Sequence, residues 1–151
     1  DTFVHLVGVA NPGTARAAQF RAVDLVSIEA AVPAAVTTGI RHFLYLSVAQ
    51  PAPVMRAYVA VRATGESLLR ESGLNATFVR PWYVIGPGHR WPLLLLPGYA
   101  IARLLPATRE TATRLGLVSL AQLVRALVHT VEQPRAGVHI VDVPQILKAR
   151  L

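Results

Sequence analysis

His42-Phe-Leu-Tyr-Leu-Ser47, then Tyr58-Val-Ala-Val-Arg62, then Asn75-Ala-Thr-Phe-Val-Arg80-Pro81 is the stretch whose reading decides the fold. The first and last pieces are apolar runs of strand length, rich in β-branched and aromatic residues. The middle piece opens a helical pattern predicted over 54–72 and stopped by Gly73. Pro51 and Pro53 make the loop before that helix stiff and non-helical. The two strands are apolar on both faces and are joined by a helix. That combination points to a parallel sheet covered on both sides.

Working outward, the run from Phe3 to Val9 reads as another buried strand, ending at the Asn11-Pro12-Gly13 turn signal. Residues 14–38 carry Phe20, Val23, Leu25, Ile28 and Val32 at helical spacing, with Pro33 predicting a kink or a division into two helices. The strand opening at His42 is predicted over 42–49. Downstream, Gly86-Pro-Gly88 is a loop, and 115–133 contains a helix with Leu120, Leu123, Val124, Leu127, Val128 and Val131 on its apolar positions. Residues 138–141 form a last short strand. The fold class is therefore α/β with a parallel sheet. A single domain is expected, with the sheet core over 1–88 and a small substrate-side lobe over 89–151.

Composition narrows the function classes. Hydrophobic residues are 53% of the chain and mean hydropathy is +0.44, which excludes disorder. The absence of cysteine excludes a disulfide scaffold and thiolate metal ligation; no metal site is predicted, and a cytoplasmic location is expected. The greasiest stretch, 91–105, is broken by Pro92 and Pro97 and carries Arg103. It is too short to span a bilayer and is expected to be buried or to line a pocket, with a membrane-surface helix as the lesser alternative. Net charge is +7, and Lys148 is the single lysine among the fifteen basic residues. The arginines are scattered and not interleaved with aromatics. They predict a solvated basic surface attractive to anionic ligands, with no specific nucleic-acid partner. A basic nucleic-acid-binding module is the remote alternative.

Ligands of open parallel sheets bind beyond the carboxyl ends of the strands. Gly8, Ser47 and Pro81 follow three such ends and are expected on one rim. Tyr58 and Arg62 are four apart and share a helix face. A guanidinium near a phenol favours the phenolate and is expected to lower its pKa. A tyrosine tuned in this way exchanges a proton with a substrate oxygen, and Ser47 orients that oxygen. Each residue also has a plainer reading. Ser47 satisfies a backbone group at a strand end, Tyr58 packs against the sheet, and Arg62 is a solvated helix cation. Gly65 in mid-helix predicts close packing.

Taken together, Val4-His-Leu-Val-Gly8-Val-Ala, the Gly39–Ser47 strand, the Tyr58–Gly73 helix, Thr77-Phe-Val-Arg80-Pro81-Trp-Tyr-Val84-Ile-Gly86, and Val118–Ala126 resemble the short-chain dehydrogenase/reductase superfamily. The likeness is to its atypical and extended branches, the NAD-dependent epimerase/dehydratase-like and NmrA-like proteins. It covers essentially the whole chain. The resemblance implies a Rossmann-like doubly wound sheet and hydride transfer with NAD or NADP, acting on a small-molecule substrate; the 91–105 segment, in the part of the family fold that supplies substrate-side walls, suggests an apolar pocket for it. It implies Tyr58 as acid/base, Ser47 as its partner, and Arg62 on the ribose hydroxyls. Gly8, Val9 and Ala10 would lie near the adenosine, and Pro81, Trp82 and Val84 would flank the nicotinamide.

Two departures stand out. Arg62 occupies the position where the family carries lysine, and a planar fork does not replace a compact ammonium at a tight site. That opens the alternative of a non-catalytic NAD(P)-binding regulator or assembly factor. The ten glycines offer no G-x-x-G-x-x-G phosphate loop. The chain therefore reads as the C-terminal portion of such a protein, lacking its N-terminal βαβ units and inactive alone. The missing strands would leave an apolar strand as a bare sheet edge. The isolated 151 residues are expected to dimerise, aggregate or unfold readily; sedimentation of a stable, cooperatively unfolding monomer would contradict this.

Overall fold

The computed structural model describes residues 1–9, 16–88 and 90–149. Its centre is a parallel sheet of β1 (Thr2–His5), β2 (His42–Leu46), β3 (Ala76–Val79) and β6 (Val138–Val141), in the order β1-β2-β3-β6. A second, two-stranded parallel sheet pairs β4 (Tyr83–Ile85) with β5 (Leu117–Ser119). Between β1 and β2 run α1 (Ala17–Gln19), a π-helical segment (Phe20–Leu25) and α2 (Val26–Thr37). The helix between β2 and β3 is α3 (Arg56–Glu71). After β4 come a 3₁₀ turn (Trp91–Leu95), α4 (Leu96–Leu104) and α5 (Pro106–Arg114). The remaining helices are α6 (Leu120–Glu132) and α7 (Val143–Lys148).

Strand alternation sends successive side chains to opposite faces. Phe43, Tyr45 and Phe78 meet Ile28, Val32 and Leu69 on one face. Leu44 and Val79 meet Val118, Leu123, Ala126, Val143 and Ile146 on the other. Both faces are thus filled by helices, which is why β2 and β3 read as uninterrupted apolar runs. His42 is the polar exception, buried with its ring nitrogens bonded to Thr2 Oγ1 (3.1 Å) and Thr77 Oγ1 (3.0 Å).

Several expectations are corrected. The regular pairing of β1 stops at His5 and that of β2 at Leu46, so both strands are shorter than their apolar runs. Ala10 and the 11–13 turn lie outside the described residues. Pro33 does not divide the helix; it sits inside α2, and the irregularity comes earlier, where the π segment brings Phe20 and Asp24 to buried positions. The predicted helix within 115–133 begins only at Leu120. Ser119 accepts from the Gln122 amide and Gln122 returns the bond, forming a capping box. The boundary at 88 does not hold in the sheet, because β6 pairs with β3 and returns the end of the chain to the core. The 91–105 segment is largely exposed, with Leu94 and Leu104 each 82% exposed; only Pro92 is buried, and Trp91 lines a pocket as expected.

Gly65 lies where α3 crosses β2. A methyl group there would meet Tyr45 Oη at 2.5 Å, and Tyr45 is completely buried with no room to withdraw. On an open helix, Gly→Ala gains about 1 kcal/mol. Here we expect Gly65→Ala to destabilise instead, with Tyr45→Phe in the same chain recovering part of the loss by removing the hydroxyl. Urea unfolding of the single and double variants checks the sign.

Candidate active site at the carboxyl ends of the strands

Strands β2 and β3 end side by side, and the chain beyond them opens a cavity of about 670 Å³. Ser47, Tyr58, Pro81, Trp82 and Val84, all singled out from sequence, line it together. Leu46, Val48, Met55, Tyr83, Trp91 and Leu123 complete the wall. Met55 caps α3 with a left-handed backbone (φ 56°), a conformation uncommon outside glycine, at the rim of this cavity. Tyr83 packs edge-on between Trp82 and Trp91, with ring centroids 5.6 and 5.2 Å away. Among the described residues, the lining contains none that is charged.

Arg62, Gly8 and Val9 do not line this cavity; they meet beside it, at the end of β1. Arg62 is buried on α3 and pairs with Asp24 Oδ1 at 2.6 Å. It also donates to the carbonyls of Leu46 (3.0 Å) and Val7 (3.1 Å). Asp24 accepts through its other oxygen from the Val9 amide at 3.1 Å. Gly8 passes so close to the Arg62 guanidinium that a side chain there would collide with it. The guanidinium lies 5.3 Å from the Tyr58 ring centroid and 5.6 Å from that of Tyr45. Arg62 is thus a clamp between the ends of β1 and β2, held by a buried carboxylate.

That geometry reverses the expected tuning of Tyr58. Burial raises the phenol above its ordinary value, and the opposing pull of the Arg62 charge does not cancel it. Tyr58 therefore remains a protonated phenol at neutral pH, suited to giving a proton rather than taking one.

The sequence reading missed a second buried carboxylate. Glu66, one turn past Arg62, accepts from Ser47 Oγ (2.6 Å), Gln50 Nε2 (2.8 Å), Arg80 Nε (2.8 Å) and Arg70 Nη2 (3.0 Å). Arg80 Nη2 completes a two-pronged contact. Burial alone would raise the Glu66 carboxyl, but the bonds from Arg80 and Ser47 bring it below its ordinary value. Since Ser47 gives its proton to Glu66, it faces the cavity with acceptor capacity alone. The one available signal was an acidic residue at α3's inward spacing, since Glu66 follows Arg62 by four.

No protein-family model and no curated protein sequence matches the chain. Solved structures do. MoeE5, in complex with UDP-glucuronic acid and NAD, is similar with a TM-score of 0.66 and 16% identity, covering 97% of this chain and 60% of its own. UDP-glucuronic acid 4-epimerase from Bacillus cereus, in complex with NAD, gives 0.65 at 15% identity, with 98% and 56% covered. The dTDP-glucose 4,6-dehydratase DesIV from Streptomyces venezuelae, with NAD and TYD bound, gives 0.62 at 18%, with 92% and 50% covered. The chain spans 50–60% of the length of these structures. The chain therefore shares the Rossmann-like fold of these NAD-bound structures.

Removing the Glu66 charge leaves Arg80, half-buried with its side chain 15% exposed, without its carboxylate. Glu66→Gln is expected to cost about 3–5 kcal/mol. Arg70→Ala removes only a largely exposed partner (side chain 42% exposed) and should cost at most about 1 kcal/mol. Guanidinium unfolding of the two variants separates these values.

Proposed function

We propose that this chain provides the nicotinamide and substrate end of an NAD(P)-dependent oxidoreductase or epimerase-like protein of the cytoplasm. The observation that carries the reading is the single cavity around Ser47, Tyr58, Pro81, Trp82 and Val84. Its flat, aromatic and uncharged walls suit a nicotinamide ring, and its size falls within the range of small-molecule sites. Pro81, Trp82 and Val84 would flank that ring, and Gly8 and Val9 would approach the adenosine side. The dinucleotide, when bound, supplies or accepts the hydride.

Tyr58 would give its phenolic proton to a substrate oxygen and be reprotonated from solvent. Ser47 accepts from a substrate hydroxyl while Glu66 fixes its orientation. Two arginines beside the strand ends are directed to carboxylates, Arg62 to Asp24 and Arg80 to Glu66. The described lining carries no charge, so it favours a reacting part of the substrate that is small, uncharged and apolar. This differs from the sugar nucleotides named for the similar structures.

A second reading is a non-catalytic NAD(P)-binding regulator or assembly factor. The commitment of Arg62 to Asp24, with the raised phenol of Tyr58, favours it, because the guanidinium is not available to ribose hydroxyls.

Reduced nicotinamide mononucleotide, which carries only the nicotinamide half, should quench the emission of Trp82 and Trp91; no change with added ligand overturns both readings. In a protein joined to a phosphate-binding half, Tyr58→Phe should lower hydride transfer about 10²–10⁴-fold with binding retained. Because the phenol lies above its usual value of about 10, reduction should stay flat through neutral pH and fall only in stronger alkali. Undiminished turnover in Tyr58→Phe removes Tyr58 from its role, and binding without any turnover supports the regulator.

A further inference from the structure

The segment from Trp91 to Leu105 points its most apolar residues outward. Leu94 and Leu104 are each 82% exposed and Ile101 is 62% exposed. With Pro97 they recur every three or four residues along the 3₁₀ turn and α4, which makes one continuous row. Tyr99 and Ala102 take the inward side. A single exposed leucine needs no explanation, but an outward apolar row marks a surface that meets something other than water.

Charge decides what that is. No aspartate or glutamate occurs between Ser72 and Arg109, and exposed Arg90, Arg103 and Arg109 punctuate the segment. The first carboxylate beyond it, Glu110, is paired with Arg114 at 3.3 Å. A second copy of this chain would bring another net charge of +7 to the same surface, which opposes association. An anionic partner with an apolar interior satisfies both the leucines and the arginines.

We infer that this segment docks on the surface of an anionic lipid bilayer. Leu94, Ile101 and Leu104 enter the boundary between headgroups and acyl chains, and the arginines face lipid phosphates. No helix among the described residues is long and apolar enough to cross a membrane, so α4 lies in the interface plane. Trp91, half exposed, belongs both to this row and to the wall of the cavity. Docking therefore sets the mouth of an uncharged cavity against an apolar phase. The inference itself rests on α4 and does not require nucleotide binding.

Flotation of the 151-residue chain with vesicles tests it. Binding is expected on phosphatidylcholine containing phosphatidylglycerol, and should weaken roughly tenfold or more on phosphatidylcholine alone and at high salt. The triple variant Leu94→Ser, Ile101→Ser, Leu104→Ser should lose binding by a similar factor with an unchanged unfolding temperature, since all three side chains are exposed. Absence of wild-type binding to the anionic vesicles overturns the proposal. Equal binding by the triple variant does the same. Self-association that the triple variant abolishes, without vesicle binding, assigns the row to a second copy and also overturns it.

Discussion

Two buried carboxylates hold the rim of this sheet together. Asp24 fixes Arg62 between the ends of β1 and β2, and Glu66 fixes Ser47, Gln50 and Arg80 between the ends of β2 and β3. Past Leu46 the amides of Ser47 and Ala49 still donate to the carbonyls of Val79 (2.8 Å) and Pro81 (2.9 Å) before the chain turns away into loops. Charge-assisted bonds from α3 reinforce that rim. Such pairs are not a surplus of stability, because removing ions from water costs nearly as much as their attraction returns. What they impose is geometry: with Asp24 or Glu66 neutralised, Arg62 or Arg80 loses the carboxylate that holds it in place.

The same commitments set the chemistry of the cavity. The chain has fourteen arginines, yet the two buried against the strand ends, Arg62 and Arg80, are turned onto carboxylates. The space between Trp82, Tyr83 and Trp91 is left uncharged. Arg62 stands four residues after Tyr58, as the resemblance to dehydrogenases requires, but its fork is spent on Asp24 and two carbonyls. The phenol beside it is governed by burial more than by that charge. Substituting a fork for a compact ammonium thus changes both what the side chain holds and what it does to its neighbour.

Much of this was legible in the residues. The apolar runs of β2 and β3, the helix between them and the glycine stops fixed an α/β parallel architecture, because strands covered on both faces carry no polar alternation. The rule that ligands lie beyond strand ends predicted Gly8, Ser47 and Pro81 on one rim; Ser47 and Pro81 line the cavity, and Gly8 lies beside it against Arg62. The three-residue strands β4 and β5 were not legible, since pairs that short have no period to detect.

The residues alone gave the longer elements and their order, because hydrophobic period and turn residues are local properties of the chain. Only the folded chain settled who partners whom: Asp24 with Arg62, Glu66 with Ser47 and Arg80, and β6 with β3. Each of these pairings depends on segments distant in sequence meeting where water is scarce. The energy of a charge or an apolar surface is set by that surrounding medium, which no stretch of residues specifies until the chain has folded.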